Sequence, residues 1–154
     1  VLLLACGQGE KSSNATFNDV TAMMAESAPE PVLAVEATAP LADVDLGRLC
    51  KATIAMVMGK NVAIMKVESV ADGLAYVAYN RPEDGTLWRN RCKTEGMKVI
   101  WSGVDVDGPG SGPGRWRDNS QDETLTFALG DNKSIAIAQK FPDGSGSSET
   151  YVVD

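Results

Sequence analysis

Apolar positions recur at Leu46, Leu49, Cys50, Thr53, Ile54 and Val57, the i, i+3, i+4, i+7 spacing that gathers side chains onto one stripe of an α-helix. Asp43 or Asp45 supplies an N-cap for this helix, and Gly59 supplies a stop that tolerates positive φ. From Ala63 onward the period shortens. Apolar and polar residues alternate in runs near 64–70, 74–80, 86–94, 97–103, 123–129, 134–141 and 149–153, the period of half-buried strands. Between the runs stand Ala71-Asp72-Gly73, Arg81-Pro82-Glu83-Asp84-Gly85, Thr94-Glu95-Gly96, Gly130-Asp131-Asn132 and Pro142-Asp143-Gly144-Ser145-Gly146. These are turn residues for a physical reason: Gly, Asn and Asp accept left-handed backbone, and Pro presets its own φ. Connections this short join only antiparallel neighbours. The pattern predicts an α+β fold, one N-terminal helix packed on an antiparallel meander sheet of six or seven strands, with no interleaved helices to support a parallel sheet.

Alternation also assigns faces. Along the third run Trp88, Asn90 and Cys92 point one way, and Arg89, Arg91 and Lys93 point the other. The first set is expected against the helix and the core, the second as a basic stripe on the far face. Trp88 and Trp101 lie in alternating apolar runs and are expected in the core, whereas Trp116, set between Arg115 and Arg117, is expected exposed.

Residues 7–42 break with this regularity. They are rich in Ser, Ala, Thr, Glu and Pro, with five acids against the single Lys11, and Pro29, Pro31 and Pro40 interrupt any long element. The segment reads as an acidic tether, with a reach on the order of 30 Å. Within it Phe17, Val20 and Met24 fall near one helical face behind Asn18 or Asp19, so two readings stand: plain tether, or a short helix that docks on a partner or on its own domain. The domain proper is expected over residues 43–154.

Composition narrows the chemistry. The chain has 154 residues, room for one domain, and its net charge of -7 argues against nucleic acid, whose phosphates must be neutralised by Lys and Arg. It contains no histidine. That removes Ser-His-Asp and Cys-His nucleophilic sites and every His-containing zinc or haem site from within the chain. Carboxylate or lysine-assisted catalysis and oxygen-ligand metals survive in principle, but no cofactor or metal motif is present. Asp105-x-Asp107-Gly108 lacks the third acid and the distal glutamate of a calcium loop, and the glycines of residues 103–114 lack the Gly-Lys-Ser/Thr of a phosphate loop.

The first residues, Val1-Leu2-Leu3-Leu4-Ala5-Cys6-Gly7, end an apolar run on Ala-Cys. Leu3-Leu4-Ala5-Cys6 resembles the lipobox of bacterial lipoproteins, with a branched apolar residue three places before the cysteine and a small one directly before it. The resemblance implies that Val1–Ala5 is the end of a signal peptide and that Cys6 is the lipid-bearing N-terminus of the mature protein, held in the membrane by several acyl chains. It further implies an envelope address, and Gly7 in place of an aspartate favours the outer membrane, on its periplasmic or surface side. The competing reading makes Val1–Cys6 the start of a core strand or helix. With Cys6 assigned to lipid, Cys50 and Cys92 remain as an even pair, expected as a structural disulfide in an oxidising compartment.

Candidate sites are surface sites. Arg89, Arg91 and Lys93, joined by Lys98 on the next strand, and the second cluster Arg115-Trp116-Arg117 form the expected partner-binding residues; arginine beside an exposed aromatic is what protein interfaces favour. The alternative is a solvated sheet face balanced by acids such as Glu83 and Glu95. Asp118, Asp122 and Glu123 are the residues to test for paired-carboxylate glycan hydrolysis. The reading is a non-catalytic lipid-anchored envelope protein, an accessory or assembly subunit that binds a protein partner. Behind it stand an inhibitor or immunity-type lipoprotein capping a toxin or wall-degrading enzyme, and then a carboxylate glycan hydrolase. A glycan is an alternative ligand for the basic face.

Overall fold

A computed structural model describes residues 39–154. The signal-peptide fragment, Cys6, the acidic tether up to residue 38 and the Phe17–Met24 segment all lie outside the described residues. Of the expected tether, Leu41 already packs against the core, so ordered packing begins two residues before Asp43.

Helix α1 spans Asp43–Met58. Neither Asp43 nor Asp45 caps it. Ala42 occupies the N-cap in extended conformation without a side-chain hydrogen bond, and both aspartates instead sit in the first turn, where their charge meets the positive end of the helix dipole. Asp45 also pairs with Arg48 at 2.9 Å. The stop is as expected: Gly59 takes φ 60°, its N–H donates to the Met56 carbonyl, and the Lys60 N–H reaches back to Ala55. These two bonds make a Schellman motif, which satisfies carbonyls left open at the helix end. Leu46, Leu49, Cys50, Thr53 and Ile54 are buried, with Ala52 and Ala55 widening the stripe.

A 3-10 turn over Val62–Ile64 follows, its Ala63 N–H capped by the Asn61 side chain, and this delays the first strand relative to the sequence pattern. The strands are β1 (Lys66–Ala71), β2 (Leu74–Asn80), β3 (Leu87–Glu95), β4 (Lys98–Val104), β5 (Thr124–Leu129), β6 (Ser134–Lys140) and β7 (Gly146–Val152). β7 begins earlier than its apolar pattern suggests because Asp143 accepts from the Ser145 N–H and closes a tight turn, so pairing resumes at once. All seven strands pair antiparallel in sequence order. The fold is therefore α+β, an N-terminal helix on a seven-stranded meander. Among the described residues no helix is long and apolar enough to cross a membrane.

The sheet curls around the helix. α1 touches β1, β2, β3, β4 and β6, and strands about 4.8 Å apart in a flat sheet would carry β1 and β6 well beyond the width of one helix. Arg48 reaches the carbonyl of Val153, just past β7, at 2.7 Å. The enclosed core joins Leu49, Ile54, Val77, Val99, Trp101, Leu125, Phe127, Ile135 and Ile137. A disulfide links Cys50 on α1 to Cys92 on β3, with the Cα atoms 5.6 Å apart, and pins the helix to the centre of the first four strands.

One junction is thin. β3 and β4 pair over seven residues each, from Arg89↔Val104 to Glu95↔Lys98, yet β4 meets β5 only at Lys98↔Thr126 and Val99↔Leu125. Beyond Val99 the neighbour of β4 is the irregular chain that leads to β5. Pro113 bridges Val104, Gly114 donates to the Gly103 carbonyl, and Arg117 donates to the carbonyl of Trp101.

Candidate functional site

The register of β3 with its neighbours fixes the two faces. Cys92 lies opposite Trp101 and Ala75, while Arg91 lies opposite Ser102 and Tyr76. Cys92, Trp101 and Ala75 belong to the core under α1, so Arg89, Arg91 and Lys93 stand on the far face, together with Ile100, Ser102 and Lys98 of β4. The basic stripe is real as a placement. Its charges are not all free.

Arg89 is held by Glu68 of β1 at 2.8 Å and by Asp105 at 3.4 Å, and the Glu68 hydrogen bond foremost raises its pKa. Lys93 pairs with Glu95 at 2.9 Å. Of the balancing acids read from the sequence, Glu95 belongs to this stripe and Glu83 does not: Glu83 pairs with Lys60 beyond the helix end. Arg91 differs from both neighbours. Among the described residues no carboxylate lies within 4.0 Å of it; one terminal nitrogen donates to the Gly114 carbonyl at 3.3 Å, and its Nε is buried without a hydrogen-bond partner.

The segment after the glycine loop covers part of this face. Ser102 donates to the Gly114 carbonyl at 2.8 Å, which brings Trp116 over the stripe. The Arg91 guanidinium lies 4.1 Å from the Trp116 ring centroid, and the Lys93 ammonium 5.1 Å away. Both lie within reach of the ring quadrupole. Trp116, expected exposed, is therefore only half-exposed.

Its neighbours turn the other way. Arg115 makes two 2.7 Å hydrogen bonds to the carboxylate of Asp122. Arg117 approaches the same carboxylate at 3.7 Å and lies 5.1 Å over the ring of Trp101, on the core side. The cluster Arg115-Trp116-Arg117 is thus divided: the tryptophan joins the far-face cations and the two arginines lock the return of the chain. Alternation along a segment that runs beside β4 produces this division, and it was readable once that segment was known to be extended.

Asp122 is the centre of that lock. It is buried, and besides both arginines it accepts the N–H of Asn119 at 3.1 Å. The Arg115 hydrogen bonds, acting against desolvation, bring its pKa from 3.8 down to about 2. A group with a lowered folded-state pKa stabilises the folded chain above its unfolded value and loses that contribution as pH falls through the folded one. The stability difference between the native chain and Asp122→Asn is therefore expected to stay constant above about pH 5 and to vanish as the medium falls below about 2. Urea denaturation at stepped pH measures it; a difference that persists unchanged at the acid end would contradict the lock.

The three acids considered for hydrolysis are engaged differently. Asp122 is held ionised between two arginines, Glu123 accepts the Nε1–H of Trp101 at 2.8 Å, and Asp118 is exposed. Asp118 and Glu123 line a shallow cleft of about 90 Å³ with Glu95, Lys98 and Arg117, at the place where β4 and β5 part. The glycine loop is also committed internally. Asp105 accepts from the Gly112 N–H at 2.9 Å with one oxygen and engages Arg89 with the other, so its carboxylate works as a hairpin staple. Among the described residues no group of three or more acids or cysteines is placed to hold a metal.

Trp88 departs from expectation. It has the parity of the core face but is 37% exposed. It pairs with the buried Tyr79 at the end of the β2–β3 hairpin, four residues and about 13 Å along the strand from the disulfide. There it stacks with Tyr79 at 6.4 Å and carries Arg81 over its ring at 5.2 Å, with Leu87 exposed beside it in sequence. This second cation-aromatic group was missed because face parity says nothing about how well each position along a face is covered. No family model, curated protein or solved structure matches the chain.

Proposed function

We propose that this chain is a non-catalytic, lipid-anchored protein of the bacterial cell envelope, an accessory or assembly subunit that holds an acidic protein partner on the far face of its sheet. The observation that carries this reading is Arg91, a cation packed under Trp116 with no carboxylate within 4.0 Å among the described residues. A guanidinium partly withdrawn from water without a counter-charge has lost hydration that an incoming carboxylate restores, with a bidentate geometry that suits it. Trp and Arg are also the residues that dominate interface energetics. The internal engagement of Asp122, Glu123 and Asp105 supports binding over hydrolysis. The Cys50–Cys92 bridge suits an oxidising compartment, and the lipid at Cys6 supplies the anchor, favouring the outer membrane through Gly7.

Two measurements test the reading. Mass spectrometry of the protein from its native host is expected to find a diacyl- or triacylglyceryl-modified Cys6 at the mature N-terminus; an unmodified Val1 sinks the anchor. A photo-crosslinking residue placed at Tyr76, opposite Arg91 on the same face, is expected to capture in native membranes one dominant partner with an acidic surface. Recovery of abundant wall proteins alone would count against a dedicated subunit.

A further inference from the structure

The outer edge of β7 is an open row of backbone groups. β6 and β7 pair in unbroken register from Ser134↔Val152 to Lys140↔Gly146, and the bonds at the two ends show which residues face inward: Phe141 donates to Ser145, and Val153 donates to Lys133. Alternation then turns the backbones of Ser147, Glu149 and Tyr151 towards β6 and those of Gly146, Ser148, Thr150 and Val152 away from it. Among the described residues nothing pairs with those outward groups.

The opposite edge is guarded. β1 carries a register shift between Val67 and Ser69, charged Lys66 and Glu68, and a Glu68–Arg89 ion pair, the devices by which edge strands are kept from adding another strand. β7 has no bulge, no proline and no lysine. Its single charge, Glu149, accepts the hydroxyl of Tyr151 on the same strand. Beside the middle and end of β7 the far face is small and uncharged, made of Ala128, Ser134, Ala136, Ala138, Ser148 and Thr150, with Lys140 its one cation, opposite Gly146 where β7 begins. Val152 stands 67% exposed at its rim.

We propose that β7 is a homodimerisation edge, at which two copies of this chain pair their β7 strands antiparallel about a two-fold axis through Thr150. The choice of a second copy rests on self-complementarity. With the axis at Thr150, Ser148 faces Val152 of the second copy, the outward groups form three hydrogen-bonded pairs, and Val152 is covered. On the helix side Glu149 then faces Tyr151 of the second copy. A shift by two residues would set Glu149 against its own copy, and like charges directly opposed are destabilising. In a chain with net charge -7 a far face that carries no carboxylate beside β7 lets two copies meet without opposing acids at the seam.

Sedimentation equilibrium of the full chain carrying Cys6→Ser, which removes the cysteine outside the disulfide, is expected to show twice the monomer mass at high micromolar concentration and dissociation on dilution. Thr150→Lys opposes two ammonium groups at the axis, and Thr150→Pro removes an outward N–H that β6 does not use. Both are expected to weaken dimerisation at least about tenfold with the circular dichroism and thermal melt retained; if the proline variant fails to fold, the lysine variant decides alone. A monomer at every concentration overturns the proposal, and so does a dimer indifferent to the lysine. A monomer whose Ser148, Thr150 and Val152 amides exchange slowly also overturns it, assigning the edge to another segment of this chain.

Discussion

Replacing Cys50 and Cys92 together by alanine is expected to lower the melting temperature by on the order of 15 °C, from a loss of about 4 kcal/mol. The bridge closes 42 residues of chain, and in the chain-entropy account the unfolded state gains that freedom when it is cut. Both cysteines are fully buried, so the double variant also loses packing where α1 meets the sheet. The effect is large against the 5–15 kcal/mol that holds a typical domain together. Calorimetry of the double variant beside the oxidised chain measures it, and reductant added to the native protein gives an independent arm. A fall of only a few degrees in both would show that the helix is held by its apolar stripe alone.

On the far face, Arg91→Ala and Trp116→Ala are each expected to weaken the captured partner by tenfold or more, at least about 1.4 kcal/mol, with little change in melting temperature. Arg91→Lys is expected to restore charge without restoring affinity, because an ammonium neither stacks flat on the indole nor offers a fork to a carboxylate. Lys133→Ala, whose cation pairs with Asp154 far along the sheet, serves as the neutral control. Binding should also slow as salt rises, since charge complementarity acts mainly on the rate of encounter. Titration calorimetry with the crosslinked partner reads the affinity, and equal losses from Lys133→Ala would remove the far face from the argument.

Much of the architecture is local and was legible for that reason. The stripe from Leu46 to Val57 and the two-residue alternation after it are properties of neighbours along the chain, and turns such as Ala71-Asp72-Gly73 carry their own chemistry. The disulfide followed from counting: with Cys6 set aside for lipid, Cys50 and Cys92 were left as an even pair. What escaped was non-local. The ion pairs of Arg89 join it to Glu68 and Asp105, partners brought together only by strand order. Trp88 has the parity of the core face and stays part-exposed at the hairpin end of β3. Trp116 and its flanking arginines part company because an irregular segment runs beside β4, a course that no periodicity announces.

The two residue pairs that join β4 to β5 divide the molecule unequally. The covalent bridge lies wholly on one side of that seam, between α1 and β3, while β5, β6 and β7 are tied across it by side-chain burial, by the Arg48 contact to Val153 and by the Asp122 lock. Sub-global opening should then run along this line, with the last three strands exchanging their amide hydrogens together and sooner than β2 and β3. Reduction would act first on the side that holds the bridge and reach the last three strands through the shared helix, which contacts β6. The chain is in that sense two cooperative units sharing one helix.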